Sequence, residues 1–191
     1  MVTTATAAQS IARAYFSDII QTHISSCDSL EKPLEKGSSL ISQALLAGNK
    51  VITYGTIDTA HLANYFASQL LQQFEVERPS LPAIALNQQA NSPQQALNAL
   101  RSLSKSGDVL VLLLPNLGQV TELLLAVKNL GLKLVILCGQ ATQNPESLAK
   151  DQDCTIMAPS KRLPVILNCF QTMLSCLCLQ IDANIFGYGG Q

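Results

Sequence analysis

One short stretch of the chain combines residue types that can hold a phosphate. In VITYGTIDT, residues 51–59, an apolar run ends in Gly55, and the polar side chains of Thr56, Asp58 and Thr59 follow. A turn that leads from a strand into a helix directs backbone N–H groups and hydroxyls toward an anion. However, the turn has a single glycine, and the Asp58 carboxylate would cost on the order of 1 to 4 kcal/mol beside a phosphate.

The same turn has a simpler interpretation. Asp58 and Thr59 are residue types that cap helix N-termini, and a helical pattern begins directly after them. The turn is therefore predicted either to bind a phosphate or to be kept for its shape, with Asp58 or Thr59 as the cap of the next helix.

Two further segments are expected at the same place in the fold. Asn116, Gly118 and Gln119 follow the apolar run DVLVLLLP, and the loop APSKRLP follows the last short apolar run. Ligands of open α/β sheets bind outside the carboxyl ends of the strands, where these segments should meet the turn at Gly55.

The elements that must position these residues alternate along the chain. Strands are predicted at KVITYG, LPAIALN, DVLVLLLP, KLVILCG and CTIMAP, and helices at 58–74, 92–105, 118–131 and 162–185. Two further helical patterns, at about 4–23 and 30–46, precede them. This order predicts an α/β fold, a three-layer doubly wound parallel sheet with two extra N-terminal helices.

The length and composition indicate one domain with a large apolar core. The chain has 191 residues, of which 48% are hydrophobic and 13% charged, and its net charge is −1. A composition this apolar suggests that part of the protein surface is buried against partner subunits. The sequence has no run of Lys and Arg, and direct nucleic-acid binding is therefore not expected.

The remaining composition indicates a cytoplasmic protein without a metal or a membrane span. The six cysteines form no C-x-x-C pair and are expected as buried free thiols, and two histidines are too few to suggest a histidine metal site. No signal-peptide pattern opens the chain. The long apolar segment near its end is interrupted by Asn, Gln, Ser and Asp and is predicted as a buried helix.

Four segments give the chain a resemblance to a known family. FEVERPSLPAIALN at 74–87, SGDVL at 106–110, PSKR at 159–162 and CLCLQIDANIF at 176–186 resemble the SIS (sugar isomerase) domain proteins related to phosphoheptose isomerase. The resemblance covers nearly the whole chain. It implies one flavodoxin-like SIS domain over 1–191, with helices at 1–48 packing in the oligomer, a core at 49–160 and a C-terminal helix at 161–187.

The resemblance also implies a homotetramer, or a dimer, with phosphosugar pockets between subunits. The family's first phosphosugar loop, Gly-Asn-Gly followed by Ser, matches Gly55 to Thr59. Here Thr56 replaces the asparagine and Ile57 the second glycine, while Thr59 could stand in for the serine.

The second family loop carries several Ser and Thr around a Gly-Asn-Ser. In the matching stretch Gly118 is kept, but Pro115, Leu117 and Val120 stand where hydrogen-bond donors are needed. The resemblance thus implies a remnant pocket that binds phosphosugar weakly at most, formed by Gly55, Thr56, Asp58, Thr59, Asn116, Gly118 and Gln119.

Isomerase chemistry in the family requires a general acid and base and, in phosphoheptose isomerases, metal ligands. The matched positions here are Tyr65, Gln69, Leu167, Asn168, Phe170 and Ser175. The expectation is therefore a protein without catalytic residues, metal or cofactor. A divergent phosphosugar isomerase and a phosphosugar-binding sensor remain the alternatives.

One branch of the family implies a different role. In it, an apolar pair near the end of the last helix contacts the replication initiator DnaA, and the matched residues here are Ile185 and Phe186. The resemblance thus implies an oligomer that binds DnaA and promotes its assembly at the replication origin. Alternatively, Phe186 packs back onto its own helix or a neighbouring subunit.

Overall fold

The apolar runs of the sequence form the strands of one parallel sheet. The computed structural model describes residues 2–88, 92–116, 121–127, 129–140 and 152–187, and the side chains of residues 2–7, 88, 121, 122 and 126 are outside this description. The strands are β1 (Val51–Gly55), β2 (Ala83–Ala85), β3 (Val109–Leu114), β4 (Lys133–Gly139) and β5 (Cys154–Ala158). They are ordered β2-β1-β3-β4-β5, and all neighbouring pairs are parallel.

Helices cover both faces of this sheet. They are α1 (Val2–Leu46), α2 (Ala60–Leu71), α3 (Pro93–Leu103), α4 (Thr121–Val127) and α5 (Leu163–Phe186), with a 3-10 turn at Leu86–Gln88. Alternate residues of β3 belong to two separate core clusters: Val109, Val111 and Leu113 pack with α1, α2 and α5, and the residues between them pack with α3 and α4. The doubly wound, three-layer prediction is confirmed.

The N-terminal region differs from the sequence prediction. It forms one continuous helix, Val2–Leu46, and not two, although Pro33 lies inside it. The hydroxyl groups between the two predicted helices bond within the single helix: the Ser26 hydroxyl donates to the carbonyl of Thr22 at 2.6 Å. The helix also continues because it packs along α5 and β5, where Gly37 approaches Ile156 and Leu177 closely.

The other boundaries differ by a few residues. α2 begins at Ala60 and ends at Leu71, so it is shorter than predicted. β2 has three residues, because the chain after Ala85 turns into the 3-10 helix. The predicted cap of α3 is confirmed, since the Ser92 hydroxyl accepts from the N–H of Gln95. Gly131 was predicted to close α4, but the helix ends at Val127 and Gly131 lies four residues further on, with a positive φ of 68°.

α5 is the apolar segment predicted as a buried helix. Among the described residues it alone is long and apolar enough to cross a membrane, and half of its most apolar stretch is buried.

Of the six free cysteines, four are buried, whereas Cys27 is exposed and Cys176 half-buried. The expectation of six buried thiols is therefore too broad. Burial raises the pKa of the Cys178 thiol to about 12.

One ion pair joins the segments that precede β1 and β3. Lys50 Nζ lies 2.6 Å from Asp108 Oδ2, and the Asp108 side chain is fully buried. Burial opposes the charge of this carboxylate, but hydrogen bonds from the Lys50 side chain and from the N–H groups of Lys105 and Lys50 lower its pKa below the ordinary value.

Candidate functional site

The turn after β1 is fastened by one amide side chain. The Gly55 N–H donates to Asn87 Oδ1 at 2.8 Å, and Asn87 Nδ2 donates to the Gly55 carbonyl at 2.7 Å. Asn87 lies in the 3-10 turn after β2, the strand that pairs with β1. Both backbone groups of Gly55 are therefore used within the chain.

Thr59 is directed into the fold. It is fully buried, and its hydroxyl donates to the carbonyl of Leu113 in β3 at 2.7 Å. Thr56 Oγ1 lies 3.2 Å from Thr59 Oγ1, and the Thr59 N–H donates to the Thr56 carbonyl. Thr59 stands at the N-cap position of α2, but its side chain makes no capping hydrogen bond. Thr59 is thus the N-cap residue, one of the two candidates predicted from the sequence, but its hydroxyl bonds to the neighbouring strand and not to the start of the helix.

Gly55 has a packing role in this turn. A Cβ atom at this position would lie 2.6 Å from the Thr59 carbonyl oxygen and 2.7 Å from the Thr59 hydroxyl. Such distances are well below van der Waals contact, so the fold itself requires a glycine here. No phosphate needs to be invoked to explain it.

The other predicted pocket residues lie on the outside of this edge. Asp58 is exposed, and Ile57 next to it is 94% exposed at the tip of the turn. Asn116 is exposed just after β3, the strand whose Leu113 pairs with Gly55. Gly118 and Gln119 lie outside the described residues. The structure thus brings Gly55, Thr56, Asp58 and Thr59 into one turn, with Asn116 after the adjacent strand.

The positions matched to family chemistry hold amides, hydroxyls and apolar groups. Asn168 Nδ2 donates to the Pro164 carbonyl at 2.8 Å, and the Ser175 hydroxyl donates to the Gln171 carbonyl at 3.1 Å, so both bond back onto α5. Phe170 is buried in the core. Within the described part of the chain, no group of three His, Cys, Asp or Glu side chains could hold a metal ion.

The second candidate region is the end of α5. Ile185 and Phe186 are half-buried and pack against the core cluster beneath α1, α2 and α5. Gly187 follows with a φ of 76°, the left-handed conformation that ends many helices. Each side chain is therefore partly supported by the fold and partly accessible.

A buried ion pair lies beside these two residues. Arg78 Nε is 2.6 Å from Asp182 Oδ1, and both side chains are almost fully buried. The Arg78 guanidinium carbon lies 6.0 Å from the centre of the Phe186 ring, within cation–π range. Burial raises the pKa of the Asp182 carboxyl, and the charge of Arg78 opposes this rise.

Sequence reasoning missed Arg78 and Asp182 as part of this region. One signal was present in each case. Asp182 is the single charged residue of the apolar α5 segment, and Arg78 lies within the segment at 74–87 that carries the resemblance. Charged residues in such surroundings are rarely buried without a partner.

α1 presents an uncovered apolar face. Phe16, Ile20 and Ile24 are spaced four residues apart, on one side of the helix, and are 68%, 54% and 61% exposed. Ile24 also borders a cavity of about 420 Å³ between α1 and α5, whose lining includes Cys27, Leu30, Leu34, Met173 and Cys176. The exposed side chains and the cavity form one continuous apolar surface.

Comparison with known proteins agrees with this architecture. The SIS domain family model matches residues 14–139. The "DnaA initiator-associating protein DiaA" of Pectobacterium carotovorum is 33% identical over 184 residues, covering 90% of this chain and 93% of the relative. The protein of the same name from Escherichia coli K12 is 32% identical over 187 residues, covering 91% and 95%.

Solved structures share the fold at lower sequence identity. A phosphoheptose isomerase from Francisella tularensis superposes with a TM-score of 0.82 at 23% identity, covering 92% of this chain and 98% of the other. Phosphoheptose isomerase GmhA from Neisseria gonorrhoeae gives the same TM-score at 22% identity and the same coverage.

Proposed function

This chain belongs to the SIS-domain family, and from that membership we propose that it is a non-catalytic oligomer that binds the initiator DnaA and promotes its assembly at the replication origin. The observation that carries the proposal is the similarity, over nine tenths of the chain, to relatives named DnaA initiator-associating proteins. Its proposed place of action is the cytoplasm, where an initiator assembles on DNA.

The state of the Gly55 turn supports a role other than phosphosugar chemistry. The Thr59 hydroxyl is committed to Leu113, and both backbone groups of Gly55 are committed to Asn87. A phosphate would have to replace these bonds and approach Asp58. Each charge-assisted hydrogen bond that it failed to make would cost about 1.5 to 3 kcal/mol.

The positions matched to the family's acid, base and metal ligands also support a non-catalytic role. Neither Gln69 nor Asn168 titrates near neutral pH, and Leu167 and Phe170 have no polar atom to offer. Proton transfer at a sugar carbonyl requires a group whose pKa lies near the working pH. We propose that the protein acts by binding a partner and does not catalyse a reaction in this pocket region.

The apolar face of α1 supports self-association. Phe16, Ile20 and Ile24 would be costly to leave in water, and the cavity beside them offers a concave surface for a neighbouring copy. We propose a homotetramer, or a dimer, in which residues 1–48 supply subunit contacts. Several copies would then present several DnaA sites, which raises avidity without any new type of contact.

The partner surface proposed here is the apolar pair at the end of α5. A half-buried aromatic ring that is already fixed in place is typical of the residues that dominate binding energy at interfaces. Phe186 meets this description, and Ile185 lies half-buried next to it in the chain. DnaA would make the contacts with DNA, in keeping with the net charge of −1 of this chain.

The deciding experiment is binding to immobilised DnaA from the same source, comparing the wild type with Phe186→Ala. The matched control is Leu179→Ala, since Leu179 is also an accessible apolar residue of α5, two turns earlier. We expect the wild type and Leu179→Ala to bind, and Phe186→Ala to lose at least about tenfold in affinity, a free-energy change of about 1.4 kcal/mol. Light scattering should show the same oligomer for all three. Absence of binding by the wild type would refute the proposal.

A second candidate, a divergent isomerase or a phosphosugar-binding sensor, is favoured by the superposition on phosphoheptose isomerases. It predicts a rise in Tm with a heptose phosphate or fructose 6-phosphate, because a ligand that binds only the folded state stabilises it. No rise at millimolar concentration would exclude a useful affinity.

A further inference from the structure

We propose that Arg78 is a positioning residue for the partner surface: through Asp182 and the ring of Phe186 it holds the last turn of α5 in the conformation that the partner contacts. This inference rests on the proposed DnaA binding. Arg78 itself is 5% exposed and would act through Phe186 without reaching the partner.

Arg78 is anchored from the side opposite α5. Its Nη1 donates to the Leu70 carbonyl at 3.0 Å and to the Pro79 carbonyl at 3.1 Å, and its Nη2 donates to the Gln69 carbonyl at 2.9 Å. Leu70 and Gln69 belong to the last turn of α2, where the carbonyls lack partners within the helix and the negative end of the helix dipole favours a cation. The guanidinium is thus fixed by α2 and by the segment before β2.

The two groups that Arg78 meets on α5 are one helical turn apart. Asp182 and Phe186 are at positions i and i+4, which lie on the same side of a helix. One guanidinium can therefore pair with the carboxylate and also lie near the aromatic ring. The ion pair and the ring contact join α5 to α2 at the point where α5 ends.

The last turn of α5 depends on such a contact to stay ordered. The final carbonyls of a helix have no partners within it, so helix ends fray. Ile185 and Phe186 both lie in this turn and are only half-buried. A partner that binds a fixed surface avoids the cost of ordering it, so holding the ring in place raises affinity.

The test separates positioning from general stability. Asp182→Asn keeps the side-chain shape but removes the charge that pairs with Arg78. Arg78→Lys keeps the positive charge but removes the planar guanidinium group and its several N–H donors. We expect at least tenfold faster hydrogen exchange at residues 183–187 in both variants without any partner present. DnaA affinity should fall about tenfold, with the oligomer unchanged. Phe186→Tyr, which keeps an aromatic face near Arg78, should retain slow exchange.

The matched control is Lys50→Met, which breaks the other buried ion pair, between the residues that precede β1 and β3. It should lower the Tm but leave both the exchange of residues 183–187 and DnaA affinity as in the wild type. Unchanged exchange in Asp182→Asn would overturn the inference, as would faster exchange with unchanged DnaA affinity. If the wild type does not bind DnaA, the proposed function fails, and so does the claim that Arg78 raises DnaA affinity. The exchange data would still show whether Arg78 orders the end of α5.

Discussion

The turn at Gly55 and the last turn of α5 use their side chains in opposite ways. At Gly55 the Thr59 hydroxyl, which looked available for a ligand, is bonded to the protein's own backbone, and Asn87 occupies both backbone groups of Gly55. At the end of α5 the charged groups are buried beneath the surface, and an apolar pair is left partly accessible. Residue type alone indicated a site at the first region, whereas the contacts favour the second.

The comparison shows that a strand-to-helix turn can keep its shape without serving a ligand. Gly55 and Thr59 fit each other so closely that either residue could be retained for packing. If this interpretation is right, changes at Gly55, Asn87 and Thr59 should alter stability, and changes at Phe186 should alter binding. Four variants test that division, taken from the largest expected effect on stability to the smallest.

Gly55→Ala should be the most damaging change. The new Cβ would lie 2.6 Å from a backbone oxygen of Thr59, so the turn and β1 must move apart. We expect a loss of about 3 kcal/mol in the free energy of unfolding, the upper range for overpacking, measured by urea denaturation. Gly48→Ala is the control: nothing lies within 4 Å of its Cβ, and only its positive φ is strained. It should lose about 1 to 2 kcal/mol. Equal losses would contradict the packing role of Gly55.

Asn87→Ala should lose about 2 kcal/mol, since it leaves the N–H and the carbonyl of Gly55 without their side-chain partner. The same urea titration measures it. Asn98→Ala, at an exposed helix position, should stay within about 0.5 kcal/mol of the wild type. A loss at Asn87 no larger than that at Asn98 would show that the turn does not depend on this amide.

Thr59→Val keeps the shape of the side chain and removes the hydroxyl that donates to Leu113. The expected loss is about 1 to 2 kcal/mol, because the buried Leu113 carbonyl keeps only the longer hydrogen bond, 3.5 Å, from the Thr56 N–H. Thr59→Ser, which keeps the donor, should retain more of the stability. If the wild type shows phosphosugar stabilisation and Thr59→Val abolishes it, the turn is a ligand site and the contrast between the two regions fails.

Phe186→Ala should have the smallest effect on folding. The ring is half-buried, so the expected loss is about 1 kcal/mol, well below the cost of truncating a fully buried Phe. Circular dichroism during thermal unfolding measures this loss, beside the DnaA binding assay described above. A fall in Tm comparable to that of Gly55→Ala, or a change of oligomer, would mean that Phe186 serves the fold and not a partner.

Much of the fold follows from local patterns in the sequence. The runs VLVLLL and KLVILCG lack polar alternation, and both became strands with nearly every residue buried. The start of α3 at Ser92 and Pro93 could also be predicted from local sequence, since a cap and its helix are neighbours in the chain.

The features that the sequence did not reveal depend on residues far apart. Arg78 and Asp182 are widely separated in the chain, and although Asp182 stands out as the one charge of an apolar segment, no local pattern names Arg78 as its partner. Thr59 is the N-cap residue of α2, as predicted, but its hydroxyl bonds to a carbonyl 54 positions away, a contact that no local pattern reveals. The continuity of α1 through Pro33 likewise depends on packing against α5 and β5.

The packing of α1 along α5 has a consequence for how the protein is made. These are the first and last helices, and His23 Nε2 lies 2.9 Å from Thr172 Oγ1, 149 positions later. A nascent chain leaves the ribosome amino end first, so the surfaces of α1 and of the sheet that α5 covers stay exposed until α5 has emerged. Folding of this side of the domain must therefore wait until α5 has left the ribosome, and chaperones have that interval in which to bind the exposed apolar surface.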